Sequence, residues 1–162
     1  MTAALVRDAM THRVISVAPT TTLLQAAVLM RWNRFSGMPV TDEADRVVGV
    51  VSEKDVARAL HEATGIGTPR GLLHTVIQAT ESAKAGSART LEDCAARLKR
   101  GRVGEVMTAS PVSVAEDAPL QDAAALMDEH RVNRLPVIRG KRLVGILTRH
   151  DVLSKMAKRP AL

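Results

Sequence analysis

The octet "GVVSEKDV" at 49–56 returns, respelled, as "GILTRHDV" at 145–152. The match extends outward from it. "VRDAMTHRVISVAPTTTLLQAAVLM" (6–30) lies on "VGEVMTASPVSVAEDAPLQDAAALM" (103–127) without a gap. "RFSGMPV" (34–40) lies on "RVNRLPV" (131–137), and "RVVGVVSEKDV" (46–56) on "RLVGILTRHDV" (142–152) after one residue is dropped in a turn. A chain that writes one unit twice must build one supersecondary unit twice. Each unit is too small to bury a good core alone, so the two should fold together. The organisation this predicts is a first unit at 6–60, a helical insert or linker at 61–102 and a second unit at 103–157, together one globular pair.

Hydrophobic period gives the elements. Val14–Val17 and Val112–Val114 read as short strands. Thr20 and Asp117 are N-cap candidates for the helices that follow. In those helices Leu23, Ala26, Ala27 and Met30, and then Leu120, Ala123, Ala124 and Met127, recur at i, i+3, i+4, i+7, the spacing of one helix face. Met38–Val40 and Leu135–Ile138 read as strands, and the turns "DEADR" and "RGKR" return the chain into Val47–Val51 and Leu143–Leu147 as hairpins. A second helix starts near Ser52 and near Thr148. The order per unit is β-α-β-β-α, and the fold class is α/β of the α+β type. Within the insert, "RGLLHTVIQATES" and "TLEDCAARLKRG" read as helices, with Thr68 and Pro69 as a cap and first-turn pair before the former. Leu72, Leu73, Val76 and Ile77 would give the first of these a face for self-covering or dimerisation.

Composition narrows the classes. With one Trp, one Phe and no Tyr, the core must be built from Val, Leu, Ile, Ala and Met. No apolar run approaches the roughly 18 residues a membrane span needs, and "MTAALVRDAM" carries Asp8 where a signal peptide is apolar. The single Cys94 makes no internal disulfide. A cytoplasmic protein without membrane association is expected. The five histidines have no Cys or His at metal-ligand spacing, so no metal site is expected. "GIGTPRG" has its third Gly one position late for a dinucleotide loop and reads as a turn. No Walker A, G-x-S-x-G or H-E-x-x-H is present, so no catalytic residue is assigned and an enzyme is not expected. The net charge of +6 points to an anionic partner, which nucleotide, nucleic acid or acidic protein would satisfy. "RLKRGR" (97–102) and "KMAKRP" (155–160) are the basic clusters, but a chain with two aromatics offers little platform for base stacking.

The octet itself has two readings. A hydroxyl residue three positions before an acid, just after a strand, is a capping box. The same helix N-terminus is an anion site, and a carboxylate there can accept hydrogen bonds from a vicinal diol such as a ribose. Gly49 and Gly145 allow close backbone approach just before it.

Taken together, the Met-Thr opening, the amphipathic helix, the "R-h-P-V" strand and the "G-h-h-S/T-x-x-D" ending resemble the cystathionine-β-synthase (CBS) domain, here as a tandem pair. The resemblance covers both repeats and leaves the insert out. It implies two β-α-β-β-α units related by a pseudo-two-fold axis, acting as a regulatory sensor rather than an enzyme. The implied ligand is an adenosine-containing nucleotide (AMP, ADP, ATP or S-adenosylmethionine) in clefts between the two CBS units, with no other cofactor. Asp55 and Asp151 would accept from the ribose hydroxyls, and Ser52 and Thr148 would assist at ribose or phosphate. The base would lie among aliphatic side chains and backbone: Val112, Ser113 and Val114 for the Asp55 cleft, and Ile15, Ser16 and Val17 for the Asp151 cleft, with Met38 and Leu135 as further lining. Where the family often places a basic residue for phosphate, the second unit has Arg134 and the first Gly37, which favours the Asp151 cleft for phosphate. Lys54 and His150 are additional phosphate candidates. A homodimer and an unknown effector protein are the implied partners. The alternatives are a ligand-free structural or protein-interaction module, or nucleic-acid binding through the basic surface.

Overall fold

The computed structural model describes residues 4–65 and 88–157. The expected turn over "GIGTPRG" and the helix over "RGLLHTVIQATES" lie wholly or largely outside the described residues. In chain order the elements are a 3-10 turn (Val6–Asp8), α1 (Leu23–Asn33), β1 (Gly37–Thr41), β2 (Val47–Ser52), α2 (Glu53–Thr64), α3 (Ala88–Arg100), α4 (Val103–Val106), β3 (Thr108–Ala109), β4 (Val114–Ala115), α5 (Leu120–Glu129), β5 (Arg134–Arg139), β6 (Arg142–Thr148) and α6 (Arg149–Ala157). Two three-stranded sheets have the orders β1-β2-β3 and β4-β5-β6. The fold is mixed α and β, as expected from the period.

Two compact units emerge, and they do not follow the two repeats. One comprises Met1–Ile15, Thr41–Val48 and Ser110–Leu162; the other comprises Ser16–Val40 and Gly49–Ala109. The opening segment of each repeat is thus built into the unit that holds the helices of the other repeat.

In the first unit, β4 runs parallel to β5 with Val114 opposite Val137. β5 and β6 form an antiparallel hairpin with Arg134 opposite Thr148. The opening segment joins them by backbone: Thr11 exchanges hydrogen bonds with Ile146 (N–H to O 2.9 Å and O to N–H 3.0 Å), the Val6 N–H reaches the Ala118 carbonyl (2.9 Å), and the first helical N–H of α5, on Leu120, is satisfied by the Ala4 carbonyl (2.9 Å). The core is Val6, Met10, Val114, Leu120, Ala123, Met127, Leu135, Val137, Leu147 and Val152. Each full burial of such a side chain stabilises by roughly 1.5–3 kcal/mol.

The second unit repeats these devices. β3 pairs antiparallel with β2 through Gly49 opposite Ala109 and Val50 opposite Thr108. The Leu23 N–H at the start of α1 reaches the Gly101 carbonyl (3.0 Å), and the Val103 N–H reaches the Thr21 carbonyl (2.8 Å). Leu23, Ala26, Ala27 and Met30 are buried, as their spacing predicts. Leu60 of α2 packs with Cys94 of α3. Among the described residues, the buried side chains are aliphatic, Met or Pro apart from that cysteine, Thr41 and Asp55, while Trp32 is 84 % exposed.

Three local expectations are corrected. Val14–Val17 and Val112–Val114 are not strands: Val17 makes one parallel bridge to Val40, and β4 only begins at Val114. The chain passes from one unit to the other within the former segment, between Ile15 and Ser16, and just before the latter, between Ala109 and Ser110. The cap of α1 is Thr22, not Thr20, because Thr22 and Gln25 complete a reciprocal box (Gln25 N–H to Thr22 Oγ1 3.1 Å, Thr22 N–H to Gln25 Oε1 3.0 Å). α5 takes Pro119 at its cap position, not Asp117, and makes no side-chain cap bond.

Candidate functional site

The two octets form the same local structure. Ser52 is the N-cap of α2: its Oγ and N–H both donate to Asp55 Oδ2 (2.6 and 2.9 Å). Thr148 does the same ahead of α6: its Oγ1 and N–H donate to Asp151 Oδ2 (2.6 and 2.8 Å). The capping reading is therefore correct at both positions. It uses only one carboxylate oxygen in each.

The second oxygens differ. Asp55 Oδ1 accepts from Arg58 Nη2 at 2.9 Å. At the matching position the second repeat has Ser154, whose hydroxyl instead lies 3.3 Å from His150 Nε2. Asp151 Oδ1 receives no hydrogen bond among the described residues. Asp55 is buried, whereas Asp151 is partly open. Nothing in the sequence reading singled out Arg58; its signal was only that it lies three residues after Asp55 on a helix.

The glycines of the octets serve packing. A Cβ on Gly145 would stand 2.5 Å from Met10 Sδ and 3.1 Å from the Thr11 carbonyl oxygen; on Gly49 it would stand 2.5 Å from Met107 Sδ and 3.1 Å from the Thr108 oxygen. Their bare backbone admits the Met-Thr segment of the other repeat. Gly37 is constrained too: a Cβ there would sit 2.8 Å from the Val51 carbonyl oxygen. Its glycine answers to a neighbouring strand, which is a different reason from a missing phosphate ligand.

The remaining candidates fall as follows. Arg134 lies in the first unit with Thr148 and Asp151, directly opposite Thr148 in the hairpin register. His150 and Lys54 are exposed at the starts of α6 and α2. Ile15 is 36 % exposed and shares the first unit with Asp151, while Ser16 and the buried Val17 belong to the second unit with Ser52 and Asp55. Val112, Ser113 and Val114 are in the first unit. Met38 and Leu135 are sealed in the cores, at 2 % and 0 % exposure, so their side chains line no accessible surface. A cavity of about 450 Å³ opens in the first unit, walled by Val48, Pro111 and Ile138 and edged by Ser113, Arg46 and Lys141. That volume is in the range of small-molecule pockets.

Other charged groups are engaged structurally. Arg97 pairs with Glu105 at 2.8 Å, which partly neutralises the basic run 97–102 and holds the glutamate below the usual carboxylate range. Burial pushes the Cys94 thiol up. Among the described residues no cluster of three His, Cys, Asp or Glu side chains could hold a metal ion, and no helix is long and apolar enough to cross a membrane.

Comparison with known proteins fits this geometry. The CBS domain profile matches residues 6–62 and 103–158. The chloroplastic CBS domain-containing protein CBSX1 of Arabidopsis thaliana is 36 % identical over 138 residues, covering 85 % of this chain and 56 % of that protein, so this chain spans about half the length of that relative. Among solved structures, CBSX2 in complex with AMP superposes with a TM-score of 0.71 at 30 % identity, over 97 % of this chain and 99 % of that one. CBSX2 too is an Arabidopsis thaliana protein. The CBS domain of a membrane protein from Sphaerobacter thermophilus superposes with a TM-score of 0.74 at 27 % identity, over 94 % of this chain and 87 % of that one.

Proposed function

This chain belongs to the CBS domain family and carries the domain twice, and on that premise we propose that it is a regulatory module, not an enzyme, which binds an adenosine-containing nucleotide and passes the bound state to another protein. The observation that carries the reading is the Asp151 carboxylate. Thr148 and the start of α6 orient it through Oδ2, while Oδ1 keeps its lone pairs for an incoming donor. A ribose diol supplies two such donors. Arg134, opposite Thr148, provides the cation that a phosphate would need. The AMP held by CBSX2, a structure similar over almost the whole chain, supports the same ligand class.

A ligand acts on a partner only through different affinities for two states. The output is assigned to an effector in another chain. The pair assembles as a homodimer: α1 turns Leu24, Val28 and Trp32 outward at i, i+4, i+8, and Phe35 follows them, all at least 37 % exposed. A lone buried Cys94 suits a reducing compartment such as the cytoplasm.

Thermal unfolding against AMP, ADP, ATP, S-adenosylmethionine, NAD and cyclic di-AMP tests the reading, with Asp151→Asn alongside. A ligand at about 100 times its dissociation constant adds roughly 2.7 kcal/mol. The expected result is a raised midpoint for an adenosine nucleotide in the parent chain and a smaller or absent shift in the variant. A flat panel would reject the adenosine assignment.

A further inference from the structure

Resting on the adenosine reading above, we infer that Arg58 is an internal competitor for the ribose-accepting oxygen of Asp55, and that it makes the first octet the weaker of the two ligand positions. The two octets form the same capping box, but the donors to the second carboxylate oxygen differ. In the first, both carboxylate oxygens already have protein donors: Ser52 on Oδ2 and the Arg58 guanidinium on Oδ1. In the second, Ser154 replaces Arg58, bonds to His150 instead, and leaves Asp151 Oδ1 open. A diol approaching Asp55 must share or displace the guanidinium; a diol approaching Asp151 displaces only water.

The size of the handicap follows from exposure. The Arg58 side chain is 54 % exposed and that of Asp55 12 %. An ion pair open to solvent on one side is a weak competitor, and the typical strength of such pairs corresponds to a loss of about five-fold or less in affinity. Salt weakens the pair further. Arg58 therefore tunes the first position without closing it. Because it projects from α2 one turn beyond the cap, its removal leaves the capping box intact.

The test isolates the first octet in an Asp151→Asn background and uses adenosine, whose lack of phosphate removes any direct attraction to the guanidinium. Calorimetric titration should show adenosine binding about three- to five-fold tighter when Arg58→Ser grafts in the residue of the second repeat. Arg58→Lys, which keeps a cation, should give a smaller gain. Added salt should tighten binding in the Arg58 chain and leave the Arg58→Ser chain unchanged, a response that a merely structural residue would not produce. Equal or weaker binding in Arg58→Ser overturns the inference while leaving the adenosine reading in place. If neither the parent chain nor any variant binds adenosine or AMP, the adenosine reading fails and the inference falls with it.

Discussion

Gly145→Ala puts the exchanged architecture to a quantitative trial. The added methyl would lie 2.5 Å from Met10 Sδ and 3.1 Å from both Met10 Cγ and the Thr11 carbonyl oxygen. The thioether must retreat by about 1 Å to reach ordinary contact, and Met10 is 7 % exposed in a packed core. The carbonyl is pinned because the Thr11 peptide is bonded to Ile146 on both sides. Overpacking of this kind costs about 1–3 kcal/mol. For a chain of this size that is a fall of about 2–4 °C in midpoint per kcal/mol. Met10→Ala alone removes a buried side chain and should cost about 2–5 kcal/mol. In the double variant the alanine methyl enters the vacated space, so the Gly145→Ala penalty should shrink, giving a favourable coupling of about 1–2 kcal/mol. Urea unfolding followed by far-UV circular dichroism is the assay, since exposed Trp32 makes a poor fluorescent reporter of the core. A Gly145→Ala chain as stable as the parent, or a penalty undiminished in the Met10→Ala background, would refute the packing of the Met-Thr segment on Gly145.

Two further outcomes are expected. Hydrogen bonds from Arg139 to Glu116 and from Arg97 to Glu105, and from the Arg46 backbone to Asp42, hold these carboxyls below the usual carboxylate range. Groups with depressed folded pKa values contribute stability above their unfolded range of about 4 and lose it as pH falls through the folded values. Urea midpoints should therefore be steady above about pH 5 and decline below about pH 4, and the combined Asp42→Asn, Glu105→Gln, Glu116→Gln chain should decline less over that window. On the α1 surface, Val28→Asp with Trp32→Glu should convert the proposed dimer to monomer in sedimentation velocity with little change in unfolding; a dimer that survives both substitutions rules out this face as its interface.

Local features were readable from the chain wherever the partners are close in sequence. The capping boxes at Ser52 and Thr148 need only residues three apart. The buried face of α1 needs only the recurrence of Leu23, Ala26, Ala27 and Met30, and the hairpins need only a polar turn between apolar runs. What escaped reading depends on distant partners. No local pattern says that Thr11 pairs with Ile146 or that Leu23 finds the Gly101 carbonyl. Without those contacts Val14–Val17 looks like a strand. Gly37 shows the same limit: its lack of a side chain looked like a missing phosphate ligand until the Val51 carbonyl appeared beside it. Met38 and Leu135 carry the right chemistry for a base cleft, but their strands are buried through consecutive residues and hold both side chains in the cores.

The contribution of Asp151 is tested most directly by removing the diol. AMP and its 2′,3′-dideoxy analogue would be titrated into the parent chain and into Asp151→Asn. If the open Oδ1 of Asp151 receives the ribose hydroxyls, the analogue binds the parent at least ten-fold more weakly, about 1.4 kcal/mol or more, and in the variant the gap narrows to what the Asp55 position contributes. Equal binding of both ligands to the parent chain would contradict the account.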